Sequence, residues 1–178
     1  MLERDQVPPE IAALYDALLK QRGVVPNMFK TVANVPALAS AFAGLLKPLL
    51  SDGALPGWYK ELVATRVSLL LQSEYAIAAH AISAQQKGAS DAQIEAVKTD
   101  FESGPFTEAE KLGLRCAERM HRSPEEVDDA FYAKLKTVYS DPQIIELVAT
   151  AAAFEFLPRF VDALRIPATP APKPSPVG

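Results

Sequence analysis

The sequence predicts an all-α protein, a compact helical domain of about seven or eight helices arranged in two related halves. Three observations carry that prediction. No segment sustains the apolar–polar alternation of period two that a half-buried strand requires. Apolar residues recur instead at the spacing of one helix face, between cap residues, glycines and prolines that mark where helices start and stop. Finally, Glu61-Leu62-Val63-Ala64-Thr65 recurs as Glu146-Leu147-Val148-Ala149-Thr150, 85 residues later, each time on an apolar stretch preceded by a turn. The halves are expected at roughly 1–103 and 104–166, within a single domain over 1–166, with 167–178 as a Pro-rich disordered tail.

The elements follow in order. PPEIAALYDALLKQR (8–22) opens on prolines suited to a first helical turn, places Ile11, Leu14, Leu18 and Leu19 on one face, and ends at Gly23. The next stretch is cut by Pro26, Pro36 and Pro48, which predict a loop with a short turn, a helix from Pro36, and a kink or end near Pro48. Ser51-Asp52-Gly53 forms a turn before the helix bearing Glu61. If that helix ran unbroken to His80, the offset of 19 residues would span about 28 Å and the two side chains could not cooperate. Gln72-Ser73-Glu74 offers the break, with Ser73 as N-cap and Glu74 favouring the helix dipole, so a second helix can fold back on the first. From Ala76 to Ala84 only His80 and Ser83 are polar, which predicts a helix buried among others or in a subunit interface. Ser90 and Thr107 start capping boxes. Ser123-Pro124 starts a helix through residue 139, and Asp141-Pro142 starts the last, bent or interrupted at Pro158.

The bulk numbers bound the function. With 49% apolar and 22% charged residues the chain folds around a core rather than staying disordered. A net charge of −4 without a Lys/Arg cluster excludes a nucleic-acid surface, which needs a concentrated basic face. No stretch approaches a membrane span, and the charged start MLERDQ is unlike a signal peptide, so the expected location is cytoplasmic. A single cysteine, Cys116, rules out an intrachain disulfide; it is expected to be a packed, inert thiol. Two histidines 41 positions apart make no metal motif, and no cofactor or metal is expected. His121 is expected to offset a helix dipole.

The stretch from Glu61 to His80 resembles the alkylhydroperoxidase D-like and carboxymuconolactone decarboxylase superfamily. The redox branch of that superfamily spaces Glu, eleven residues, Cys, two residues, Cys, three residues, His; here the same positions hold Glu61, Ser73, Ala76 and His80. The flanks VPNMFKTVANVPAL, SEYAIAAH, KGASDAQI and FEFLPRFVDALRIP are similar to its peroxidase-related members. The resemblance implies the alkylhydroperoxidase D-like fold, a homo-oligomer (trimer or hexamer), and Glu61 and His80 at proton-relay positions. Ser73 and Ala76 replace the family cysteines, and neither can act as a thiolate, so thiol peroxidase activity is excluded as written. What remains points to cofactor-free acid–base chemistry, decarboxylation or isomerisation, on a small organic acid or lactone. Tyr75 and Arg66 are candidates to line the pocket. Two other readings stand beside it: a non-catalytic ligand-binding or scaffold member, and a peroxidase whose cysteines have been replaced. In each case the expected partners are a small molecule and further copies of the chain.

Overall fold

A computed structural model describes residues 1–170, and over these the chain is helical, with no strand. The nine helices are α1 (Pro9–Arg22), α2 (Asn27–Val32), α3 (Pro36–Leu50), α4 (Gly57–Leu70), α5 (Glu74–Gln86), α6 (Asp91–Lys98), α7 (Glu108–Arg122), α8 (Asp129–Val138) and α9 (Asp141–Ala163). Short 3₁₀ turns at Arg4–Gln6 and Pro124–Glu126 complete the set. None of these helices is long and apolar enough to cross a membrane.

The fold is built around α4. Leu62, Val63, Ala64, Thr65 and Val67 are wholly buried, and α3, α5, α6, α7 and α9 pack around it. One hydrophobic cluster runs from Ile11 to Ile166, so α1 and α9 share a single interior. Within one chain the Ala-rich helix is enclosed on one side only. α5 lies against α4 through Ala76, Ala81 and Ala84, but Ala78 and Ile82 face outward. Small side chains let two helix backbones approach closely on one side, while an outward alanine exposes too little apolar surface to need a cover.

Sequence punctuation explains most boundaries. Gly23 ends α1 with a left-handed φ of 70°, and its N–H bonds the Leu19 carbonyl. Ser90 and Thr107 form the expected capping boxes. Pro48 and Pro158 lie inside their helices without ending them: α3 runs to Leu50 and α9 to Ala163 through them. Each proline removes one intrahelical hydrogen bond, and packing on both sides of the break holds the helix together. The segment after Ser123 makes only a 3₁₀ turn, and α8 starts afresh where the Asp128 carboxylate accepts from the Phe131 N–H at 2.7 Å.

The repeated pentapeptides lie on α4 and α9, which pack together. In both, the threonine hydroxyl donates to the carbonyl four residues back, Thr65 to Glu61 at 2.8 Å and Thr150 to Glu146 at 2.7 Å. The two glutamates serve different partners. Glu146 accepts from the backbone N–H of Ala54 and Leu55 and from the fully buried Lys60 ammonium, at 2.9, 3.0 and 2.9 Å, and so pins the α3–α4 turn.

The expected tail is corrected in its first residues. The Asn27 side-chain amide donates to the carbonyls of Pro167 and Ala168, and the Asn27 N–H donates to Thr169 Oγ1, so 167–170 form a strap on the α2 end of the molecule. The rest of the expected disordered tail, 171–178, lies outside the described residues.

Candidate active site

The α4–α5 corner creates the site. Leu71 closes α4, Gln72 adopts a left-handed φ of 57°, and the Ser73 N–H bonds back to the Ser68 carbonyl at 3.0 Å. The chain reverses over two residues, and the late turns of α5 come to face the early turns of α4. Side chains at 80, 83 and 87 follow i, i+3, i+7 spacing and share the α5 face turned toward Glu61.

Glu61 and His80 touch. His80 Nδ1 lies 2.6 Å from Glu61 Oε2. The other carboxylate oxygen accepts from Ser83 Oγ at 2.6 Å and from the Lys87 ammonium, with Arg22 3.6 Å away. Burial alone would push the wholly enclosed Glu61 carboxyl upward. The hydrogen bond and charge of His80, joined by Lys87 and Arg22, outweigh that and hold it at about 2. Glu61 is therefore an anion at neutral pH, and it accepts a hydrogen bond from His80 Nδ1–H. That fixes the imidazole tautomer and leaves Nε2 as the reactive nitrogen.

Among the described residues no buried side-chain nitrogen or oxygen lacks a partner, and Nε2 has none, so Nε2 has accessible surface. His80 lines a cavity of about 250 Å³ walled by α1, α2, α3, α5 and α9. Leu14, Leu18, Leu46, Phe154 and Leu157 supply hydrocarbon, and the Phe154 ring stands edge-on to the imidazole at 4.4 Å. Pro158 also lines this wall and cannot donate to the Phe154 carbonyl. A second, smaller cavity of about 60 Å³ lies beyond Tyr75 and is bounded by Ala168, Thr169 and Pro170 of the strap.

The remaining candidates divide. Ala76 lines the main cavity, but Ser73 does not: it is buried, and its hydroxyl donates to Asp162 at 3.0 Å rather than capping α5. Tyr75 lines both cavities, its hydroxyl accepting from the Met28 N–H and pairing with Thr169 at 3.0 Å. Arg66 is corrected: it lies away from the cavity, paired with Glu118, bonded to the Val97 carbonyl and stacked over Phe101. Cys116 is buried in α7, where loss of water pushes its thiol up to about 11. His121 lies in the last turn of α7, as expected, and also pairs with Glu155 on α9 at 2.9 Å. Among the described residues no cluster of three or more His, Cys, Asp or Glu side chains could hold a metal ion.

Sequence reasoning missed Arg22, Ser83, Lys87 and Phe154. Ser83 carried a usable signal, being the second polar residue on an apolar helix and one turn from His80. Arg22 and Lys87 did not, since each ends a helix before a glycine and a basic residue there is explained by the dipole alone.

Residues 36–119 match the model of the carboxymuconolactone decarboxylase family. An uncharacterised protein of Escherichia coli K12, YnjA, is 28% identical over 131 residues, covering 74% of this chain and 71% of that protein. Among solved structures, an uncharacterised peroxidase-related protein of Ralstonia eutropha JMP134 with an alkylhydroperoxidase AhpD core superposes with a TM-score of 0.86. It is 21% identical, over 94% of this chain and 89% of that one. The debrominase Bmp8, as a Cys→Ala variant in complex with 2,3,4-tribromopyrrole, gives a TM-score of 0.81 at 25% identity, over 92% of this chain and 88% of that one.

Proposed function

We propose that this chain, which matches the carboxymuconolactone decarboxylase family model over residues 36–119 and shares the fold of alkylhydroperoxidase AhpD-like proteins, performs cofactor-free acid–base chemistry, decarboxylation or isomerisation, on a small organic acid or lactone. The observation that carries the reading is the Glu61–His80 pair, 2.6 Å apart, with the imidazole on the wall of a cavity of about 250 Å³. His80 Nε2 takes a proton from a substrate carbon or gives one back, and the Glu61 carboxylate holds the imidazolium that forms in between. In a decarboxylation His80 first takes a proton from water on Nε2; the C–CO₂ bond then breaks, its electron pair stays on carbon, and the Nε2 proton moves there, returning the neutral imidazole. In an isomerisation the proton leaves one carbon and returns to another. The hydrocarbon walls keep water away from the carbanion-like centre. That Bmp8 holds a brominated pyrrole supports a small, ring-bearing substrate for a cavity of this size.

The competing reading, a pocket that binds without turnover, predicts saturable binding and no product. Thiol peroxidase chemistry has no support, because Ser73 and Ala76 carry no sulfur and Cys116 is enclosed. A panel of lactones and keto acids assayed with wild type and His80→Gln decides between enzyme and binder. The expected result is turnover that falls by about 100-fold or more in H80Q; turnover unchanged by H80Q overturns the reading. Self-association as a trimer or hexamer belongs to the same proposal. Light scattering should give a mass several times the 19.2 kDa of one chain, and a monomer removes that part.

A further inference from the structure

The charge around His80 does not balance. Arg22 and Lys87 both lie against one carboxylate oxygen of Glu61, so a single negative charge answers two positive ones. Lys47 adds a third cation to the cavity wall, and no Asp or Glu lines it. Asp162 on α9 accepts from Ser73 and lies off the lining. The excess is not sealed away, because the Arg22 and Lys87 side chains are 21% and 24% exposed whereas Glu61 is 0% exposed. Beside this cationic edge the wall is hydrocarbon, from Leu14 and Leu18 of α1 to Phe154 and Leu157 of α9.

Two physical demands meet in one space. Cations beside an apolar, poorly hydrated wall attract an anion more strongly than they would in open water. A small inorganic anion would leave the hydrocarbon wall wet, and a neutral apolar molecule would leave the cationic edge unanswered. We propose that Arg22 and Lys87 form the recognition element for an amphipathic organic monoanion, whose charged group faces them and whose hydrocarbon body lies along Leu14, Leu18, Leu46 and Leu157. This rests on the acid–base reading only in sharing its cavity: it names the class of substrate and two specificity-determining residues. It also supplies an orientation, since the anion at the Arg22–Lys87 edge leaves the adjoining carbon beside the His80 ring.

A matched pair of probes tests it. 4-Propylbenzoate and 4-propylbenzamide share a body and differ in charge, and calorimetric titration of each into the full-length protein reads the charge preference directly. The carboxylate should bind about tenfold more tightly or better. Lys87→Met and Arg22→Met should each shrink that preference while leaving amide affinity within about twofold. Arg22→Lys and Lys87→Arg keep the charge and should keep the preference, which separates charge recognition from damage to the fold. Equal affinity of wild type for the two probes, no binding of either, or a preference surviving in both Met variants overturns the proposal. H80Q distinguishes the two readings: it should lose turnover yet retain the carboxylate preference.

Discussion

Glu61 is held as an anion inside the protein by three donors and a nearby cation: His80 and Ser83 on α5 and Lys87 at its C-cap donate, and Arg22 at the end of α1 lies 3.6 Å away. The ordinary carboxyl value is 4.5 and the folded one about 2, so the unfolded chain takes up a proton first as the pH falls. The stabilisation from this ionised group is complete above about 4.5 and disappears as the pH drops to about 2, amounting to on the order of 3 kcal/mol. Urea denaturation followed across that window should show wild type losing stability steeply. Glu61→Gln should be less stable at pH 7 and show a shallower decline; parallel curves would contradict the assignment. Legibility at this scale was uneven. The Glu61–His80 spacing was readable because a helix break between them was written in Gln72-Ser73-Glu74. The two cations were not, because their contacts to Glu61 cross 39 and 26 residues of chain and depend on how α1 and α5 dock.

At the scale of the element, local chemistry predicted starts better than ends. Ser90 and Thr107 satisfy N-terminal N–H groups from their own side chains, a purely local matter, and both caps were readable. Whether a proline ends a helix depends on what packs around it, and Pro48 and Pro158 are carried through by tertiary contacts that no local pattern contains. α7 holds another such hidden constraint. A Cβ at Gly113 would come within 2.2 Å of the Tyr59 hydroxyl and 2.8 Å of the Tyr139 hydroxyl. Those phenols cannot swing away, since they donate to the carbonyls of Glu110 and Ala109. Gly113→Ala, which in a free helix would be stabilising, should here cost about 1 to 3 kcal/mol in chemical denaturation. An increase in stability would show that α7 can shift away from α4.

For the whole molecule, the fold class was legible and its centre was not. Helical spacing and the absence of alternation foretold an all-α protein, but nothing in the sequence marked α4 as the helix the others pack around. α4 carries Lys60, Glu61, Thr65 and Ser68, polar residues that disguise a buried helix until their partners are known. Each is satisfied within the fold, Lys60 by Glu146 and the Pro48 carbonyl, Thr65 and Ser68 by carbonyls one turn back. Removing one side of the Lys60 pair leaves a charge in the interior without its counter-ion. Glu146→Gln should lower stability by about 2 to 4 kcal/mol in urea denaturation while leaving ligand affinity at the His80 cavity unchanged. A loss of affinity at full stability would mean that the α3–α4 turn sets the cavity's shape.

The pentapeptide shared by α4 and α9 has a consequence for how such a molecule can change over time. The same pentapeptide places two glutamates in different settings: one anchors a turn, and the other meets a base and two cations. The anchor carries the cost of holding the frame, so the second copy is free to exchange its neighbours. A change at position 73 or 76 therefore alters the His80 side of the molecule without touching the Glu146 contacts that hold the α3–α4 turn.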